Sequence, residues 1–368
     1  TMAKITAVSP LAPAAFPALP VIEGVKFAAV AAGVKYQGRT DVMLATLTPG
    51  TVVAGAFTRS STRSAPVLDC QAKLGHSSAE GAAILVNSGN SNAFTGKGGV
   101  ASVEAITAAV ARACDVPQMR VFTSSTGVIG EPLPHERITA VLDTLAANTK
   151  VADIAAAAKA IMTTDTRPKA RAVELTLTSG ERVRLAGVSK GAGMIHPNMA
   201  TMLAYVCTNA SLDEGGIQGL WSRVCGRSFN AITIDGDTST NDTALLLASG
   251  KGEPLTGEDL TRFEAALTYL TRELSLDILR DGEGVEHVLH LEVCEARSSA
   301  EAKRVGEAIA LSPLVKTALN GCDPNWGRII AAAGRSGVEL NPEALSLWIG
   351  EALIYERGVW QGVEAEAR

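Results

Sequence analysis

The chain has 368 residues, enough to bury a large core in one domain or two. Hydrophobic residues make up 46% and charged residues 19%, a balance too apolar for intrinsic disorder. A net charge of −5 with no long run of lysine and arginine argues against nucleic acid as a partner. No apolar stretch is long enough to span a bilayer, so no membrane partner is expected, and a cytoplasmic location is.

In chain order, the opening TMAKITAVSPLAPAAFPALP carries one lysine and is broken by Pro10, Pro13, Pro17 and Pro20, which suits an entry segment better than a signal peptide. ILVNSG (84–89) and RVFTSS (120–125) read as strands, and residues 103–114, 136–146 and 151–162 have helical spacing or composition. VELTLT (173–178) alternates, turns at Ser179-Gly180 and continues as RVRLAGV (182–188), which predicts a hairpin. TMLAYVC (201–207) and FNAITID (229–235) read as further strands. Ser211 with Glu214 forms a capping-box pattern for a helix toward Cys225. Leu260, Phe263, Leu267, Leu270 and Leu274 mark an amphipathic helix over 258–274. Six cysteines are scattered without a CxxC pair and read as buried reduced thiols. On the strand suggested by VEHVLHLEV, His287 and His290 would point to opposite faces, so no metal site is expected. The fold class is α/β (α+β), multistranded, with helices packed on sheets.

Several loops are richer in Gly, Ser, Thr and Asn than turns require: 87–99, 123–130, 162–166, 189–194 and 235–242. Such loops let backbone N–H groups converge on a ligand, as a phosphate cradle or as an oxyanion hole. GKGG lacks the spacing of a phosphate loop, and no G-x-S-x-G elbow is present. In KGAGMIHPNMATMLAY (190–205) one hydroxyl, Thr201, stands where a glycine-rich loop meets an apolar run. A threonine becomes a nucleophile when its own free α-amino group, titrating near about 7.7–8, accepts its proton. That requires a cut between Ala200 and Thr201; a threonine opening a β-strand is the plain alternative.

The motifs VAAGVK (30–35), GAFTRSSTRSAPV (55–67), ILVNSGNSNAFTG (84–96), STGVIGEPLP (125–134), AIMTTDTRPK (160–169), SKGAGMIHPNMATML (189–203), FNAITIDGDTSTNDT (229–243), RDGEG (280–284) and CDPNWGRIIAA (322–332) follow one another in an order that resembles the ornithine acetyltransferase, or glutamate N-acetyltransferase, family ArgJ. The resemblance implies ArgJ/DmpA-like layered sheets sandwiched by helices, of the N-terminal-nucleophile type. It implies self-cleavage into an α chain, 1–200, and a β chain, 201–368, with a smaller C-terminal α/β domain from roughly 296. Thr201 is implied as nucleophile, Thr126 and Gly127 as the oxyanion pair, and Thr164, Lys190, Thr201 and Glu283 as substrate contacts. Without the resemblance, Lys190 reads as a solvated loop cation and Glu283 as a turn carboxylate; Asp235, Asp237 and Asp242 look like a cation site at first sight, but the resemblance implies no metal and so Asx-turn residues instead.

The implied reaction is ping-pong. N2-acetyl-L-ornithine acetylates Thr201, and L-glutamate then takes the acetyl group. No metal or cofactor is implied; acetyl-CoA is open as a second donor, and an α2β2 heterotetramer is the implied assembly. GEGVEH (282–287) and Ser60-Ser61 depart from the family pattern without touching the nucleophile or the oxyanion pair. The chain ends at GVEAEAR, before the INADYRT-like tail whose Asn and hydroxyl residue contact substrate in the family, so truncation or a differently built carboxylate subsite is expected. A self-processing amidohydrolase or aminopeptidase and a processed, catalytically silent scaffold are the alternatives.

Overall fold

Two sheets face each other in the N-terminal unit, Thr1–Val285, of the computed structural model, which describes residues 7–75, 79–151, 153–196 and 202–362. Strands β1 (Val25–Val30), β2 (Val42–Leu47) and β3 (Val52–Phe57) precede helix α1 (Ala65–Lys73), strand β4 (Ala82–Asn90), helix α2 (Gly96–Cys114) and strand β5 (Val121–Val128). Short helices α3 (His135–Thr139), α4 (Leu142–Ala147) and α5 (Ile154–Ala160) lead to the hairpin β6 (Lys169–Thr176) and β7 (Arg182–Lys190). Then come β8 (Leu203–Thr208), α6 (Ile217–Gly226), β9 (Thr243–Ala248) and α7 (Gly257–Arg280). One sheet has the order β1-β2-β4-β5 and the other β3-β9-β8-β7-β6. The β4–β5 and β8–β9 pairs are parallel, and the remaining pairs of these two sheets are antiparallel.

Strand parity sorts side chains into layers. Ile84, Val86 and Phe122 of the first sheet meet Val188, Tyr205 and Leu245 of the second in one buried apolar layer. Leu85 and Val121 face the other way, against Ile106 and Val110 of α2. Val206 and Leu246 likewise turn outward, onto Trp221 of α6 and Leu270 of α7. The result is helix, sheet, sheet, helix, in line with the expected layered α/β class. Gly187 lets α7 lie close on β7: a Cβ there would come within 2.9 Å of Leu274 Cδ1 and 3.0 Å of Leu270 Cδ2.

Several local readings are corrected. The helix expected over 136–146 is two helices, interrupted at Ala140–Val141. FNAITID forms no strand; Phe229–Ala231 is a single 3₁₀ turn, and Phe229 packs edge-on against Trp221 at 6.5 Å. The capping box at Ser211 is not used: its hydroxyl donates to the Gly252 carbonyl at 2.9 Å, and α6 starts at Ile217 after Gly216. Residues 287–290 are not a strand, and His287 and His290 are both exposed. Cys70, Cys207 and Cys225 are buried, whereas Cys294 and Cys322 are exposed.

The C-terminal unit, Glu286–Arg368, has its own small core. Helices α8 (Ser299–Ala310), α9 (Pro313–Asn320) and α10 (Trp326–Gly334) bury Val305, Ile309, Val315, Ala332 and Ala333 together. Ser298 caps α8 by accepting the Glu301 N–H at 3.2 Å. Strands β10 (Ser346–Ile349), β11 (Ala352–Glu356) and β12 (Val359–Trp360) form an antiparallel sheet, and Trp326 stacks on Tyr355 at 5.6 Å.

Candidate active site

One end of the layer between the two sheets changes from apolar to polar. Along β7 the parity that sends Ala186 and Val188 inward also sends Lys190 inward; along β5 it takes Phe122 to Ser124 and Thr126. Lys190 is 2% exposed, and its ammonium donates to Thr126 Oγ1 at 3.1 Å and Thr163 Oγ1 at 2.8 Å. It is therefore no solvated loop cation. Burial lowers the Lys190 pKa, and the negative charge of Asp165 opposes that shift.

Beneath Lys190 lies a buried ionic cluster. Lys169 Nζ sits 2.6 Å from Asp165 Oδ1 and 2.5 Å from Asp281 Oδ2, with all three side chains fully buried. Asp281 also accepts the Thr166 amide at 2.9 Å and the Thr166 hydroxyl. Asp165 accepts the Gly191 amide at 2.7 Å and, through its other oxygen, the Thr163 amide at 3.1 Å. Burial alone would raise the Asp165 carboxyl, but the charges of Lys169 and Lys190 outweigh it and hold the group well below the usual carboxylate range. The cluster fixes the turn 163–167 and the start of the 191–196 loop.

Gly127 follows Thr126 at a register shift between β4 and β5. Its φ is +136°, and a Cβ would stand 2.2 Å from the Gly89 carbonyl carbon. Only glycine fits there, and a strand irregularity that re-aims backbone groups is a common device beside catalytic centres.

The loop after Lys190 is tied down by carboxylates and amides. Asp235 accepts the Met194 amide at 2.5 Å and the Ile195 amide at 2.9 Å, and also closes an Asx turn with the Asp237 amide at 3.1 Å. Met194 has φ +56°, a left-handed backbone for a non-glycine residue. The Glu283 amide donates to the Ala192 carbonyl at 2.7 Å, and its exposed side chain lies over Gly193, where a Cβ would meet Oε1 at 2.9 Å. Past this loop, Leu203 enters β8 opposite Lys190 on one side and Thr243 on the other. Met202 is held at both ends: its amide donates to Asp242 Oδ1 at 3.0 Å, and its carbonyl accepts the Thr243 amide at 3.2 Å. Asp242 is thus not an Asx-turn residue.

Of the expected site residues, Thr126 and Lys190 are brought into direct contact, and Gly127 follows Thr126 in sequence. Thr164 is half-buried in the 163–167 turn, where Thr163 is the residue that reaches Lys190. Ala200 and Thr201 lie outside the described residues. Sequence reading passed over Thr163, Asp165, Lys169 and Asp281, and took Asp242 for a turn residue. The spacing of Asp165 and Lys169 by four residues was the available sign, though it carries no information about burial.

Residues 26–368 match the sequence model of the ArgJ family. The arginine biosynthesis bifunctional protein ArgJ of Ruegeria pomeroyi is 55% identical over 357 residues, 97% of this chain and 87% of that protein. The chain belongs to the ArgJ family. The protein of the same name from Gluconobacter oxydans is 46% identical over 363 residues, 97% of this chain and 85% of that protein. A crystal structure of ornithine acetyltransferase from Mycobacterium tuberculosis, complexed with ornithine, is 34% identical, with a TM-score of 0.42, covering 49% of this chain and 92% of that chain. Membership in ArgJ makes this chain an acetyltransferase of arginine biosynthesis.

Proposed function

We propose that the chain cuts itself between Ala200 and Thr201, and that Thr201 then carries an acetyl group from N2-acetyl-L-ornithine to L-glutamate. The observation that carries this reading is the strand register at the buried polar end: Lys190 faces Leu203, two residues after Thr201, while donating to Thr126. The described chain thus resumes opposite the residue that donates to the proposed oxyanion donor, and this supports the reading.

Thr201 Oγ attacks the acetyl carbonyl while its α-amino group takes the hydroxyl proton. The Thr126 hydroxyl already accepts from the Lys190 ammonium, so its own proton is free to point at the oxyanion, and the neighbouring positive charge strengthens it as a donor. The Gly127 N–H serves as the second donor. The tetrahedral intermediate expels ornithine, whose amine receives the proton. Glutamate then attacks the acetyl-threonine by the reverse sequence. Thr164 and Glu283 contact the amino-acid part of the substrates in this reading, and Lys190 adds positive charge near the substrate carboxylate. Use of acetyl-CoA as a second donor, a cytoplasmic location and an α2β2 assembly of the cleaved chains belong to the same proposal.

Intact-mass measurement on purified protein is the test. Two fragments are expected, the second beginning Thr201-Met202-Leu203, and acetyl-ornithine should add one acetyl group to it that glutamate removes. Loss of the acetyl group to water at the same rate without glutamate would assign the site to an amidohydrolase instead. Thr201→Ala should stay in one piece and be inactive.

A further inference from the structure

A buried lysine that serves a reaction has to be held at both ends of its side chain, and its charge has to be kept. Lys190 is the last residue of β7, and the pairing of β7 with β6 stops one residue short of it, at Ser189 opposite Lys169. Its ammonium meets two hydroxyls, Thr126 Oγ1 and Thr163 Oγ1, rather than a carboxylate. We propose that Asp165 is a positioning residue of the transfer reaction, a clamp that fixes Lys190 against Thr126 and keeps it charged; this rests on the reading that Lys190 and Thr126 serve that reaction.

The two oxygens of Asp165 reach the two ends of Lys190. Oδ1 accepts the Gly191 amide at 2.7 Å, which belongs to the peptide group that Lys190 shares with its successor. Oδ2 accepts the Thr163 amide at 3.1 Å, and the hydroxyl of that same Thr163 accepts from the Lys190 ammonium at 2.8 Å. The backbone and the tip of the lysine are thereby referred to one carboxylate. Neither arm is free to swing. Thr163 is also held through its carbonyl, which accepts from Arg39 at 3.3 Å. The same guanidinium donates to the Met162 carbonyl and lies over the Tyr36 ring at 5.2 Å. Asp165 is fixed in turn by Lys169, which it shares with Asp281. Beside them Ser9 ties down the N-terminal segment, its amide donating to Thr166 Oγ1 at 3.1 Å and its hydroxyl to the Arg280 carbonyl at 2.6 Å.

Four charged groups act on Lys190: Asp165, Lys169, Asp242 and Arg39. Burial disfavours the ammonium most, Lys169 and Arg39 repel it, and the two aspartates favour it, Asp165 more than Asp242. The aspartates are not equivalent. Burial pushes the Asp242 carboxyl well above the usual carboxylate range. Burial alone would raise Asp165 as well, but Lys169 and Lys190 hold it well below that range. The standing negative charge that faces Lys190 near neutral pH is therefore Asp165. Its effect passes on to Thr126, because a hydrogen bond from a charged donor is about twice as strong as one from a neutral group.

The test follows Lys190 itself. Purified protein carrying isotope-labelled lysine is titrated by NMR at the lysine Cε, with Lys190 assigned through Lys190→Arg, as wild type, Asp165→Asn, Thr163→Val and Thr163→Ser. Steady-state kinetics with acetyl-ornithine and glutamate are run across the same pH range. Asparagine leaves an acceptor for the Gly191 amide but brings no negative charge. In Asp165→Asn the Lys190 midpoint should fall by at least about one pH unit, the scale of a neighbouring opposite charge, and the alkaline limb of kcat should move down with it. A merely structural aspartate would lower kcat equally at every pH and leave both midpoints in place. Thr163→Val should lower kcat at least about tenfold, the scale of a lost hydrogen bond to a charged group, and Thr163→Ser should restore most of it. A Lys190 midpoint that stays at the wild-type value in Asp165→Asn overturns the proposal, as does a Thr163→Val enzyme with the kcat of wild type. If Asp165→Asn lacks a cooperative melt, the Thr163 pair decides, and equal activity of Thr163→Val and Thr163→Ser overturns the clamp. Wild-type protein that moves no acetyl group from acetyl-ornithine to glutamate refutes the transfer reading itself, a result distinct from the Lys190 titration, which is read without turnover.

Discussion

Lys190 Nζ lies 3.1 Å from Thr126 Oγ1, joining the last residue of β7 to β5 across the space between the two sheets. This contact makes Thr126 an acceptor toward one side and leaves its proton for the other. Thr126→Val keeps the volume and removes the donor. If Thr126 is the oxyanion donor proposed above, a fall in kcat of about 10²–10³ with KM changed little is expected, because such a donor acts on charge that develops only in the transition state. Steady-state kinetics with acetyl-ornithine and glutamate checks it.

Lys169 is wedged between Asp165 and Asp281 with no access to water. Lys169→Met would strand two buried carboxyls, and a cost of about 3–5 kcal/mol is expected. Thermal or urea unfolding of the purified protein reads this directly. The acid side carries a second signature. The Asp165 pKa is depressed in the folded state, so its stabilisation is fully present above the unfolded value and is lost as pH falls through the folded one. The destabilisation by Lys169→Met, measured relative to wild type, should therefore shrink as pH is lowered below about 4, the range of an unfolded aspartate.

Much of this architecture was legible. The β6–β7 hairpin announced itself through alternation on either side of Ser179-Gly180, and α7 through its leucine spacing, though it runs on to Arg280. The strand TALLLA, β9, was passed over because it is buried on both faces in the middle of its sheet and so shows a continuous apolar run without alternation. FNAITID alternates convincingly, yet Phe229 serves the α6–α7 core and Asp235 serves the 194–196 loop, so tertiary demands override the local pattern. The ordered motifs marked Thr126, Gly127 and Lys190. They included Asp242 but could not show its burial or its partner Met202, which is forty positions away and is brought to it by the parallel pairing of β8 with β9.

Gly187 has no part in the chemistry, and its role is separable. Gly187→Val would drive methyl groups into Leu270 and Leu274, which a Cβ alone already meets at 2.9–3.0 Å. A loss of about 1–3 kcal/mol is expected from overpacking, read as a lower urea midpoint at unchanged slope. A shift below about 0.5 kcal/mol would mean that α7 moves away from β7 at little cost.

Asp235 holds the loop that leads toward the proposed cut. Asp235→Ala removes the acceptor for the Met194, Ile195 and Asp237 amides together, so Met194 loses what keeps its backbone left-handed. The expected effect is a slower appearance of the two fragments, while molecules that have been cut keep near-normal turnover. Time courses of fragment formation and activity per cut chain separate the two quantities, and equal losses in both would place Asp235 in the transfer reaction instead.

Asp242 and Asp165 should respond to pH in opposite directions. The folded pKa of Asp242 is raised by burial, so between its unfolded and folded values the native state binds more protons than the unfolded state. Stability contributed at this position is then present at low pH and is lost as pH rises through the folded pKa, because the buried group must either ionise without a paired cation or remain protonated against the solvent. Asp242→Asn removes that penalty and keeps an acceptor for Met202. The variant should match wild type near about pH 4, where an unfolded aspartate is half protonated, and should become progressively more stable than wild type toward neutrality. Melting curves of both proteins across that range, on Thr201→Ala backgrounds so that neither chain is cut, give the comparison. A variant less stable than wild type at neutral pH would show that Asp242 is ionised and paired in the folded protein.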